Sequence, residues 1–205
     1  MVLENFAVLE GIDGAGTTTQ INLLKEKAGE RAVFTAEPSG SPVGVFLRQV
    51  LRGAHALAPG TLAYLFAADR FEHVWGRGGV AESLRGGKAV VSDRYFFSSL
   101  AYQSPQCGGD LPRALNRDFP LPRYLVYLAV DVDLALERIG GRGEKEIFEK
   151  REILVEAAAE YEKILSGFEG GSSGMGVIRL DGSLPREEIH QKIWAVLRTM
   201  PILSL

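Results

Sequence analysis

Gly11-Ile12-Asp13-Gly14-Ala15-Gly16-Thr17-Thr18-Thr19 sets Gly11 and Gly16 five residues apart and follows them with three threonines. Glycines so spaced let backbone N–H groups converge on phosphate oxygens, and a helix starting there favours the same anion. The phosphate-loop pattern is G-x-x-x-x-G-K-[ST]. Gly11, Gly16 and Thr18 satisfy it, and Thr17 stands where it has lysine. The Thr18 hydroxyl is of the kind that reaches Mg²⁺. The same letters fit a tight strand–helix turn in which Thr17 to Thr19 serve as caps.

Other residues could act on an anion or a flat base. Ser92-Asp93-Arg94-Tyr95 ends an apolar run. Ligands of open parallel sheets sit beyond the carboxyl ends of the strands. There a carboxylate can hold Mg²⁺ or its waters, and an arginine can grip phosphate bidentately. A surface Asp–Arg ion pair is the plain alternative. Phe66 and Arg70 stand four apart, on one helix face, where one can stack on a base and the other donate to a carbonyl. Taken alone, Phe66 reads as core packing. Arg48, four residues past Gly44, reads alone as a solvated helix face. Arg138-Ile139-Gly140-Gly141-Arg142-Gly143-Glu144-Lys145 is basic and glycine-rich; by itself it fits a solvated helix–loop–helix connection. His55, His73 and His190 are scattered and suggest no metal or catalytic role.

Beginning with Leu9-Glu10-Gly11-Ile12-Asp13-Gly14-Ala15-Gly16, these motifs, in this order, resemble the thymidylate kinase family, whose enzymes move the ATP γ-phosphate onto dTMP. Gly14, where other members have arginine, is similar to the bacterial type, whose lid supplies the cations. The resemblance implies that Gly11, Gly14, Ala15, Gly16, Thr17, Thr18 and Thr19 cradle ATP, with Mg²⁺ at Thr18 and Asp93. It places Asp13 near the acceptor's deoxyribose and phosphate. Glu37-Pro38-Ser39-Gly40-Ser41-Pro42-Val43-Gly44 is similar to the family's R-E-P-G-G-T-x-x-G loop, which implies that Glu37 and Arg48 serve the acceptor. Phe66 and Arg70 match the pair that holds thymine, and Arg94 matches the D-R-[YFH] signature. Ser98-Ser99-Leu100-Ala101-Tyr102-Gln103 matches S-x-x-A-Y-Q, implying acceptor contacts for Ser98, base binding by Gln103 and exclusion of a 2′-hydroxyl by Tyr102.

By the same resemblance, Asp13, Asp93, Arg94, Arg138 and Arg142 carry catalysis, and a lid covers about residues 138–150. Two copies of the chain are expected to form a homodimer. Three cations that the pattern leads one to expect are replaced, by Thr17, Ala36 and Ile147. Arg138, Arg142 and Lys145 are the candidates to compensate. Two other readings stay open: a nucleotide-binding protein with little catalysis, and a related kinase with another acceptor.

These residues need a scaffold. Five short apolar, β-rich runs, at 6–9, 32–35, 89–92, 124–128 and 177–180, are nearly continuous rather than alternating, as strands buried on both faces are. Helical patterns lie between them, at 17–28, 44–52, 60–74, 80–86, 133–139, 146–167 and 186–199. The expected architecture is α/β, a three-layer P-loop kinase fold with a five-stranded, mostly parallel sheet and one domain over 1–205. Residues 104–122 and 169–174 read as loops. A net charge of −3 argues against a general nucleic-acid partner. No apolar run is of membrane-spanning length. The single Cys107 excludes an internal disulfide and suggests a reducing, cytoplasmic setting.

Overall fold

In the computed structural model, residues 1–141, 146–170 and 173–204 are described. The five apolar runs form β1 (Val2–Glu10), β2 (Ala32–Ala36), β3 (Ala89–Asp93), β4 (Leu121–Ala129) and β5 (Gly176–Asp181). They pair in the order β2-β3-β1-β4-β5, and every pairing is parallel. The sheet is covered on both faces, which explains the continuous apolar character of its strands. Alternate residues go to opposite cores. Ala7, Leu9, Val91, Val126 and Leu128 pack on one side with Ile21 and Leu24 of α1 (Thr17–Ala28) and Ile189 and Ile193 of α9 (Arg186–Leu197). Phe6, Val8, Val90, Leu125 and Tyr127 pack on the other.

That second face carries the larger core. It receives Leu47 of α2 (Pro42–Leu51), Leu62 and Val74 of α3 (Pro59–Trp75), and Val80 of α4 (Val80–Arg85). It also receives Phe97 of α5 (Phe96–Cys107), Ile139 of α7 (Val132–Gly140), and Leu154 and Tyr161 of α8 (Arg151–Phe168). The chain leaves β1 toward β2, returns to β3, then crosses past β1 to β4. The carboxyl ends of β1 and β3, adjacent in register at Leu9 and Asp93, therefore flank a topological switch point, where such sheets hold ligands.

Two expectations need correction. Residues 104–122 are not a loop: α5 continues to Cys107, α6 (Asp110–Asn116) follows, and β4 begins at Leu121. The prolines and glycines there punctuate helices. Pro105 sits in the last turn of α5, Gly108 closes that helix with φ of 81°, and Pro112 lies in the first turn of α6, where its missing N–H has no intrahelical partner to lose. The pattern at 146–167 is helical only from Arg151 onward.

Candidate active site

The turn after β1 is built for close approach. Gly14 and Gly16 have φ of 87° and 98°, and a Cβ on Gly14 would come within 2.4 Å of the Ala135 carbonyl oxygen. Gly16 is the N-cap of α1, and no side chain caps that helix. The capping alternative for Thr17 to Thr19 is thus not realised, and the start of α1 keeps its backbone donors for an anion. Thr17 is buried, whereas Thr18 and Thr19 are exposed. A guanidinium nitrogen of Arg138, on α7, lies 3.5 Å from the Gly14 carbonyl oxygen, so this arginine does reach the loop. Arg142 and Lys145 lie outside the described residues.

The Thr18 hydroxyl donates to Asp93 Oδ2 at 2.6 Å. Oδ1 of Asp93 is buried and has no hydrogen-bond partner among the described residues. A buried carboxylate oxygen left without a donor is costly, so its retention beside an exposed hydroxyl fits a cation that both oxygens can reach.

Beside this junction a cavity of about 370 Å³ opens. It gathers residues from well-separated stretches of chain. Asp13, Thr18, Asp93 and Arg94 line it, with Ser98, Tyr102 and Gln103 from α5. Glu37, Arg48, Phe66 and Arg70 line it too, as does Ala36, a methyl group where the motif comparison leads one to expect a guanidinium. The remaining loop residues, Gly11, Gly14, Ala15, Gly16, Thr17 and Thr19, stand on the adjoining strand–helix turn rather than in the cavity wall.

Arg94 is the hub. It is the one non-glycine residue with positive φ, 71°, among the described residues, a strain of order 1–3 kcal/mol that the surrounding fold must hold. One terminal nitrogen donates to Asp13 Oδ1 at 2.6 Å; the other donates to the Gly11 carbonyl oxygen and the Ser98 hydroxyl, each at 3.0 Å. Burial works against its charge, but Asp13, Tyr102, Tyr161 and Glu10 outweigh that and raise its pKa further. The Tyr102 phenol donates to Asp13 Oδ2 at 3.0 Å and accepts from the Asp13 backbone N–H at 2.9 Å. Burial, then the Asp13 charge, pushes that phenol well above its usual range.

A second network underlies the Phe66 side. Arg70 is fully buried. It donates to Glu37 Oε2 at 2.9 and 2.6 Å, to the Ser99 hydroxyl at 2.9 Å, and to Asn116 Oδ1. Four of its five N–H groups are thereby engaged. His73 bonds Glu37 Oε1 at 2.8 Å and the Thr35 hydroxyl at 2.9 Å, so Glu37 is clamped from both sides. Gln103 is buried with its Oε1 unpartnered among the described residues. Arg48 donates to the Ser39 carbonyl oxygen at 2.6 Å and to the Pro38 carbonyl oxygen, which props the loop after β2.

Several contributors escaped the sequence reading. Asp69, fully buried, accepts from the Ser39 backbone N–H at 2.6 Å and the Ser41 hydroxyl at 2.8 Å, locking the same loop. Gly44 permits this, since a Cβ there would meet Asp69 Oδ1 at 2.7 Å. Nothing in the sequence singled Asp69 out, since Arg70, Glu72 and His73 of the same helix follow it closely. Asn116 lay in a stretch read as loop, and Glu10 in a motif where only its neighbours had tasks. Past Lys145, Phe148 is buried and its ring packs 5.5 Å from that of Tyr102, while Glu146 and Glu149 line the cavity. Burial, Asp13 and Glu149 raise the Glu146 pKa. Ile147 is exposed, and its N–H donates to the Leu51 carbonyl oxygen at 2.9 Å.

Known proteins of one family are similar to this chain over most of its length. The family model described as thymidylate kinase matches residues 9–193. A Treponema pallidum protein, provisionally named a thymidylate kinase, is 39% identical over 200 residues, covering 96% of each chain. Archaeal proteins with similarly provisional names match as well. That of Methanocaldococcus jannaschii is 38% identical over 98% of this chain and 100% of its own, and that of Methanococcus aeolicus 37% over 93% and 94%. The chain belongs to the thymidylate kinase family.

Proposed function

We propose that this chain transfers the γ-phosphate of ATP to dTMP, giving dTDP. The observation that carries the reading is one cavity uniting Phe66, Arg70 and Gln103, suited to a pyrimidine base, with Arg94, suited to phosphate, Asp13, which fixes it, and Asp93, suited to Mg²⁺. The one uncommitted N–H of Arg70 suits a base carbonyl, and the unpartnered Gln103 Oε1 suits a ring N–H. Phosphoryl transfer asks little covalent chemistry of a protein; positioning and charge neutralisation do most of the work. Arg94 holds the acceptor phosphate and Asp13 fixes Arg94. The uncapped start of α1 and its glycine loop hold the donor phosphates. Mg²⁺, held by Thr18 and Asp93, supplies further positive charge when bound.

Thr17, Ala36 and Ile147 remove three cations from this scheme. We assign compensation to a lid over about residues 138–150, through Arg138 and Arg142, as in the bacterial type of the family. The same proposal includes a homodimer and a cytoplasmic setting. The exposed Tyr64, Phe71 and Trp75 on α3 support the homodimer. The missing cations favour a second reading, a nucleotide-binding protein with little turnover.

An ADP-release assay with ATP, Mg²⁺ and a panel of dTMP, dUMP, dCMP and AMP tests both. Turnover selective for dTMP supports the kinase. Binding without turnover selects the second reading, and turnover with a different acceptor overturns the base assignment.

A further inference from the structure

Glu10 ends β1, is fully buried, and has no task in the scheme above. A carboxylate in that position is costly unless its oxygens are satisfied. Both are. Oε1 accepts from the backbone N–H of Tyr95 at 2.8 Å and of Ser98 at 3.3 Å. Tyr95 is the N-cap of α5 and provides no side-chain cap itself. Glu10 therefore caps α5 from an adjoining strand, taking donors that a capping residue would otherwise take. Oε2 accepts from the Ser98 hydroxyl at 2.6 Å and from the Tyr161 phenol, on α8, at 2.7 Å.

Arg94 stands between these two arms. Its strained backbone immediately precedes the capped Tyr95. Its side chain donates to the Ser98 hydroxyl at 3.0 Å and lies 3.5 Å from the Tyr161 phenol oxygen. We propose that Glu10 is a positioning residue for Arg94. Its carboxylate holds both the turn that carries the Arg94 backbone and the two hydroxyls beside the guanidinium, and so aims that guanidinium at the acceptor phosphate. The inference rests on the reading of Arg94 as a phosphate ligand.

The test compares dTMP with thymidine, which lacks the phosphate, by isothermal titration of the full chain. Wild type, Glu10→Gln, Arg94→Ala and the double variant are used. Glu10→Gln keeps one oxygen for the α5 backbone but faces the hydroxyl pair with an amide N–H. Glu10→Gln is expected to weaken dTMP roughly tenfold, to leave thymidine within about twofold, and to add nothing once Arg94 is alanine. Equal weakening of both ligands, an undiminished loss in the Arg94→Ala background, or no loss at all overturns the proposal. Tyr161→Phe removes one arm only and should give a smaller loss, again confined to dTMP. It decides the matter if Glu10→Gln does not fold, and an unchanged preference for dTMP over thymidine in Tyr161→Phe then overturns the proposal. Wild type binding dTMP no more tightly than thymidine would instead overturn the phosphate reading of Arg94, and the role of Glu10 with it.

Discussion

Thr18 Oγ1 donates to Asp93 Oδ2 at 2.6 Å, tying the first turn of α1 to the last residue of β3. These residues lie 75 positions apart, and their meeting marks the switch point of the sheet. The second oxygen of Asp93 stays buried without a partner among the described residues, which suits a cation better than a structural bond. Asp93→Asn should lower kcat about 10²–10³-fold, as loss of a preorganised electrostatic group does. Steady-state kinetics across a Mg²⁺ series checks this; a variant that reaches wild-type kcat at ordinary Mg²⁺ would remove Asp93 from the chemistry.

Thr17 occupies the lysine position of the phosphate loop and is buried. Arg138 already reaches that loop, 3.5 Å from the Gly14 carbonyl oxygen. If Arg138 compensates, Thr17→Lys gains less than about tenfold in kcat/KM, while Arg138→Ala loses about 10²-fold. The reverse pattern would mean a handicapped loop with no substitute.

The Arg70–Glu37 pair is almost wholly buried, with side-chain exposures of 1% and 3%. Removing one partner of such a pair leaves an uncompensated charge. Glu37→Ala should cost about 3–5 kcal/mol in urea unfolding, and His73→Phe, which removes only one side of the clamp, less. Equal stability of wild type and Glu37→Ala would show that Arg70 finds other partners.

Glu10 yields a pH prediction. Burial, opposed by Arg94 and by bonds from Ser98, Tyr161 and the Tyr95 N–H, pushes its pKa up to about 7 from an ordinary 4.5. Between those values the folded chain keeps a proton that the unfolded chain has released. This contribution to stability is fully present below about pH 4.5 and is lost as pH rises through 7. At about 1.4 kcal/mol per unit, the loss is of order 3 kcal/mol. Denaturant unfolding of wild type and Glu10→Gln from pH 4.5 to 8 isolates it: the wild type should lose stability relative to the variant with rising pH, and parallel curves would contradict the shift.

Tyr64, Phe71 and Trp75 present three exposed rings on α3, at exposures of 58%, 58% and 43%. If they form the homodimer face, Phe71→Glu should shift the chain to a monomer in sedimentation velocity, since a charge buried in an apolar interface is costly. A monomeric wild type, or a dimer indifferent to Phe71→Glu, would rule that face out.

The element order was legible in the residues themselves. Strands buried on both faces must be largely apolar, and Phe6–Leu9 and Ala89–Val91 are. The positions of the Gly11–Thr19 turn, between β1 and α1, and of Asp93–Arg94, at the end of β3, were also legible, because the apolar runs that precede them mark where those strands end. Where the sequence misled, local letters had more than one structural use. Pro105, Gly108 and Pro112 read as a loop but belong to two helices: Pro112 costs little in the first turn of α6, Gly108 closes α5, and Pro105 sits in the last turn before that close. Only the tertiary structure decided that Asn116 braces Arg70, that Asp69 locks the loop at Ser39, and that Glu10 caps α5 beneath Arg94. Each bond joins residues far apart in the chain, and a lone buried polar side chain in a sequence does not disclose its partner. Burial obliges such a group to be paired; the packing of the sheet and its helices determines with what.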